Sequence, residues 1–118
     1  MRTIYCANGS GQELVEPGTY DVSITRGYEY IPVETEVTIL PDSVTRLDAV
    51  LIHAVDTTGY LSADMHIHAG PSGDNKISIP DRIVTVAVEG LEIPVATDHE
   101  AVIDWQPAVY ETGLQRWV

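Results

Sequence analysis

Cysteine occurs once, at Cys6. An intrachain disulfide is therefore excluded, and so is a zinc module built on several thiolates. Positive charge is also scarce: six Lys and Arg stand against eighteen Asp and Glu, a formal net charge of −12. A chain of that sign repels a phosphate backbone, so nucleic acid is not an expected partner. No apolar run is long enough to cross a bilayer, so no membrane span is expected. The opening Met1-Arg2-Thr3-Ile4-Tyr5 leads into no apolar signal-peptide core. The expectation is either a cytoplasmic protein or a chain whose parent begins further upstream, an extracytoplasmic parent being left open. Phenylalanine is absent and no internal repeat is visible.

What is present suits a folded chain. A hydrophobic fraction of 44% and a charged fraction of 20% are ordinary for a globular protein. Leu, Ile and Val are frequent enough to argue against disorder. A length of 118 residues fits one small domain or parts of two.

The patterning changes character midway. Asn8-Gly9-Ser10-Gly11 and Glu16-Pro17-Gly18 are turn signals. Residues 20–24 and 33–39 alternate apolar and polar, as half-buried strands do. In the second, Glu34, Glu36 and Thr38 share one face and Val33, Val37 and Ile39 the other. Pro41-Asp42-Ser43 is a turn, and residues 45–52 form a third, less regular expected strand. Short strands separated by turns predict a β-sandwich-like N-terminal part, here only a partial one.

Asp56-Thr57-Thr58-Gly59 reads as a junction. Residues 61–67 then predict a strand, and Gly70-Pro71-Ser72-Gly73-Asp74 a loop. A helix starts with Ser78 as N-cap and Pro80 in its first turn. Ile83, Val84, Ala87 and Val88 fall on one face, and Gly90 closes it. Residues 92–97 form a short strand, and residues 105–112 a second helix ending at Gly113. Strand, helix, strand is the unit of a parallel sheet. The expected division is a partial sandwich over 1–55, a junction over 56–60 and an α/β portion over 61–118.

The chemistry concentrates in the α/β portion. His66 and His68 are two apart on a strand, which puts both imidazoles on one side, able to meet one ion or two adjacent ions. Such a pair also occurs on ordinary polar strand faces. Asp64 precedes them at the same parity, where a carboxylate can orient an imidazole through its other nitrogen; a solvated strand residue is the plainer alternative. Asp74 is a candidate oxygen ligand or a simple turn aspartate. The second strand ends in Thr97-Asp98-His99-Glu100, which delivers Asp and His beside the first pair if the strands are parallel neighbours. His53 reads as structural. Lys76 and Arg82 are near enough to meet an anionic substrate, but the better reading is a solvated loop residue and a helix-surface residue.

Asp64-x-His66-x-His68 followed by Thr97-Asp98-His99 resembles the PHP (polymerase and histidinol phosphatase) superfamily of metallohydrolases. Asp74 falls six residues after the second histidine, where that family places a third ligand. Residues 63–99 look most like the CehA/McbA branch, named for carbaryl hydrolase. Members of that branch tend to carry a carboxypeptidase regulatory-like β-domain first, and Pro17-Gly18-Thr19-Tyr20-Asp21-Val22 is similar to a strand opening of such a domain. The resemblance implies the first β-α-β unit of a distorted (β/α)7 barrel. It implies two or three divalent ions (Zn, Mn or Fe), with His66, His68, Asp74 and His99 as ligands and Asp64 and Asp98 supporting them. A metal-bound water would attack a small-molecule phosphoester, carbamate or ester. The family's later ligands have no counterpart here, so the expectation is a fragment of a longer hydrolase that binds a divalent metal weakly and turns over little or nothing. Two other readings stand beside it: a non-catalytic extracellular β-domain binding module, and an inert truncation product.

Overall fold

A computed structural model describes residues 2–118. The chain divides into two units, Gly11–Asp56 and a second formed by residues 2–10 together with Thr57–Val118. The expected boundary at residue 55 is close, but the first ten residues group with the second unit. Ala7 packs against that unit's hydrophobic core, and Tyr5 lines a cleft beside the helix over 79–88.

In the Gly11–Asp56 unit, β1 (Gly18–Ile24) precedes β2 (Tyr30–Ile31) and β3 (Val33–Ile39). β1 and β3 pair antiparallel without a break, from Gly18 opposite Ile39 to Ile24 opposite Val33. Alternation decides the faces: Val33, Thr35, Val37 and Ile39 are half-buried while Glu34, Glu36 and Thr38 are exposed. On the wet face the Ser23 hydroxyl donates to Glu34 Oε1 at 2.6 Å, and the Thr19 and Thr38 hydroxyls meet at 3.1 Å. Such cross-strand pairs each add a few tenths of a kcal/mol, up to about 1.

The third strand expected over 45–52 is a correction. Only β4 (Ile52–His53) forms, pairing antiparallel with β2 through Tyr30 opposite His53 and Ile31 opposite Ile52. The preceding run finds no ladder, and Val44 and Val50 are 85% and 82% exposed. Apolar residues alternate into a strand only where a neighbouring strand and a core receive them. His53 is structural in its contacts: Nε2 lies 2.9 Å from Glu29 Oε2, and the ring sits 4.8 Å from that of Tyr30.

The other unit runs β5 (Ala63–Ile67), α1 (Ile79–Val88), β6 (Ile93–Ala96), α2 (Gln106–Thr112). β5 and β6 are parallel neighbours, Ala63 opposite Ile93 and Ile67 opposite Ala96. The Thr97 amide donates to Ile67 O at 2.9 Å and carries the ladder to the strand ends. α1 begins where its punctuation says. Ser78 is extended, its hydroxyl accepts the Asp81 amide, and Pro80 takes an early position that needs no N–H. Gly90, at φ 72°, takes the chain out in the left-handed conformation that glycine tolerates.

α1 buries Ile83, Val86 and Ala87. These join Ile67 and Ala69 from β5 and its loop, and Trp105, Ala108, Val109 and Leu114 from the α2 region, in one core. Among the described residues there is no closed barrel: the sheets are three two-stranded ladders.

Candidate metal centre

β5 and β6 both end at the same side of the parallel pair, and the loops that follow carry the polar residues. The loop after β5 is closed by its backbone, the Gly70 amide donating to Ile77 O at 2.6 Å. A Cβ on Gly70 would come within 3.1 Å of that oxygen, so a side chain there would push the closure open by a few tenths of an ångström. Asp74 projects from the middle of this loop.

The three imidazoles meet here. The His66 and His68 rings lie 4.8 Å apart, and the His68 and His99 rings 4.6 Å apart. His66 Nε2 is 3.0 Å from His68 Nε2. For comparison, two nitrogens bound to one tetrahedral zinc at 2.0–2.1 Å lie roughly 3.3 Å from each other. On its other side His68 Nδ1 is 2.9 Å from Asp74 Oδ2, and His99 Nε2 is 3.5 Å from the same oxygen. One donor atom each from His68, Asp74 and His99 lies within 4.8 Å of the others, close enough to share an ion. His68 is half-buried, while His66, Asp74 and His99 are exposed.

The Asp74 carboxyl is held down to about 2, first by the Ser72 hydroxyl and then by the His68 imidazole. An ionised carboxylate only accepts, so His68 Nδ1 is the donor in its bond to Asp74. This pairing of carboxylate and imidazole is the usual way to orient a metal-ligating histidine. Because the folded-state pKa lies below the ordinary 3.8, ionised Asp74 contributes stability above about pH 4 and loses that contribution as pH falls through about 2. A carbon-detected NMR titration of the metal-free chain is expected to give an Asp74 midpoint near 2, moved upward by Ser72→Ala. A midpoint of 3.8 in the unmodified chain would contradict the arrangement.

The two aspartates expected behind the histidines sit differently from each other. Asp98 is buried, and its Oδ1 accepts the Ala69 amide at 2.7 Å, tying the end of β6 to the end of β5. Its Oδ2 is enclosed with no hydrogen-bond partner. Asp64 does not meet an imidazole as strand parity predicts. Between the Asp64–Pro94 and Ile67–Ala96 pairs β5 carries one more residue than β6, and an extra residue of this kind reverses the alternation. Asp64 thus shares with Ile67 a cleft of about 320 Å³ against Arg82, Thr85, Val86 and Glu89 of α1. Its Oδ1 accepts the His66 amide at 2.9 Å, so it supports the backbone of a histidine instead of its ring.

Two residues in the arrangement were not singled out for these roles by sequence. Ser72 lies in a Gly-Pro-Ser-Gly stretch that reads as a turn, yet it is fully buried. Its hydroxyl reaches Asp74 Oδ1 at 2.5 Å and the His99 amide at 3.1 Å. Arg82 does not point at the cluster as a free cation: its Nε donates to His68 O at 3.0 Å. Lys76 is an exposed loop residue.

Comparison with known protein families, characterised proteins and solved structures gives no match. No helix among the described residues is long and apolar enough to cross a membrane.

Proposed function

We propose that the chain carries the opening metal-binding unit of a metal-dependent hydrolase of the PHP type. The observation that supports this most directly is the grouping of His68, Asp74 and His99, with the His66 ring beside His68, at the C-terminal ends of two parallel strands. Open α/β sheets place their ligands at that end. The donor set fits the group: imidazoles and a carboxylate suit Zn, Mn and Fe better than an all-oxygen cation such as Ca. The enclosed, unpartnered Asp98 Oδ2 also favours a positive charge in the neighbourhood, since an uncompensated buried carboxylate oxygen is costly.

A bound divalent ion supplies a water of lowered pKa and polarises the bond to be hydrolysed. The chain's own residues provide the rest. His66, His68 and His99 offer imidazole nitrogens, and Asp74 holds His68 through Nδ1 and brings negative charge. Asp98 and Arg82 hold the backbone at the end of β5, through the Ala69 amide and the His68 carbonyl. The substrate class is a phosphoester, or a carbamate or ester, of a small molecule.

Calorimetric titration of the whole chain with zinc or manganese tests the reading. Binding of one ion is expected, with little or no phosphodiester or ester turnover, because three imidazoles and a carboxylate suffice for one ion and not for two or three. Metal binding by a His66→Ala/His68→Ala chain equal to that of the unmodified chain would overturn it.

A further inference from the structure

Ser72 has no direct part in holding a metal, yet its hydroxyl touches both halves of the cluster. A backbone amide can only donate, so the Ser72 oxygen must accept from His99 N at 3.1 Å. Its single proton is then free to go to Asp74 Oδ1 at 2.5 Å. The other carboxylate oxygen accepts from His68 Nδ1 at 2.9 Å, and the same nitrogen lies 3.4 Å from the Ser72 oxygen. Two donor lines converge on Asp74: the His99 amide to the Ser72 hydroxyl and the hydroxyl on to the carboxylate, and the His68 ring to the same carboxylate. Together they span the loop after β5 and the loop after β6.

Burial makes this joint stiff. Ser72 is fully enclosed, whereas Asp74 and His99 are exposed. An exposed side chain samples several rotamers unless something fixes it. Among the described residues, the only other side-chain link across the two loops that involves Asp74 is its 3.5 Å approach to His99 Nε2.

We infer that Ser72 is a positioning residue that sets the metal affinity of the cluster by locking Asp74, and through it His68, to the backbone of His99. The inference rests on the metal-centre reading. Partners of this kind change metal affinity by about 10–100-fold when removed.

Zinc affinity and thermal midpoint are measured for the whole chain and for Ser72→Ala, Ser72→Thr, Asp74→Asn, the Ser72→Ala/Asp74→Asn pair and Val86→Ala, all below the lowest midpoint. Ser72→Ala is expected to weaken zinc binding about 10–100-fold. The pair is expected to lose little more than Asp74→Asn alone, because the hydroxyl acts through that carboxylate. Ser72→Thr keeps the hydroxyl while crowding an enclosed site, so it lowers the midpoint but holds affinity within about threefold of the unmodified chain. Val86→Ala loosens the core under α1 and leaves affinity unchanged. Unchanged affinity in Ser72→Ala overturns the inference and leaves the metal reading intact. Equal loss in Ser72→Ala and Ser72→Thr, additive losses in the pair, or a matching loss in Val86→Ala would reduce Ser72 to a packing residue and likewise overturn it. No zinc binding by the unmodified chain removes the metal reading and this inference with it.

Discussion

His68→Ala is expected to weaken zinc binding by the whole chain on the order of 100-fold or more. Structural zinc sites with four ligands bind with apparent free energies of about 10–16 kcal/mol, so one ligand's even share is about 3 kcal/mol, or roughly two orders of magnitude. His68 should exceed that share because it is the residue the others meet. Its Nε2 faces His66, its Nδ1 faces Asp74, and its ring stands against His99. Without it, the contacts that link His66 to Asp74 and His99 through this ring are gone. His53→Ala is the control: that imidazole is paired with Glu29 in the other unit, and its removal is expected to leave zinc binding as it was. Equal losses in the two variants would mean that histidines bind zinc here without a site.

The largest expected effect on stability is at Ile83. Its side chain is fully enclosed on α1, and it belongs to the core that joins β5, α1 and the α2 region. Ile83→Ala is expected to cost about 2–5 kcal/mol, and Ile83→Val about 0.5–1.5 kcal/mol. Whole domains are stable by only about 5–15 kcal/mol, and this unit is small. The alanine variant should therefore be substantially unfolded at moderate temperature, and metal binding should fall with it because the core holds the strands that place the loops. Urea unfolding of the two variants checks the scale. A loss below about 1 kcal/mol for alanine would show that the α1 face is not the keystone of this core.

What the sequence revealed, and what it hid, follows from the range of the forces involved. α1 was legible because its ends are written locally, in Ser78, Pro80 and Gly90, and its buried face in Ile83 and Ala87. The parallel pairing of β5 with β6 was legible because a helix between two short strands leaves few other ways to connect them. The strand over 45–52 misled because alternation does not reveal whether a partner strand exists, and Val44 and Val50 end up in water. Asp64 misled because parity counting assumes an unbroken register, and the irregularity in β5 depends on pairing with Pro94 and Ala96. The three clustered histidines and Asp74 were legible as residue types at a spacing. Ser72 was not, since a serine between Pro71 and Gly73 carries every mark of a turn and none of a buried hub. Likewise, nothing local to Arg82 says that its guanidinium will hold the carbonyl of His68.

The closure of residues 70–77 by the Gly70 amide and Ile77 carbonyl bears on how this protein can change over generations. The latch is made of main-chain atoms, so it does not depend on which side chains lie between its ends. Provided position 70 stays small and Ser72, Asp74 and Asn75 are kept, the last because its side chain bonds the His68 carbonyl and the Ile77 amide, the other positions are freer to drift. Lengthening the segment costs little, since the entropy of closing a loop grows only with the logarithm of its length. The segment is thus an exchangeable cassette at the mouth of the cluster, where substitution can reshape what approaches the imidazoles while the strands that carry them stay as they are.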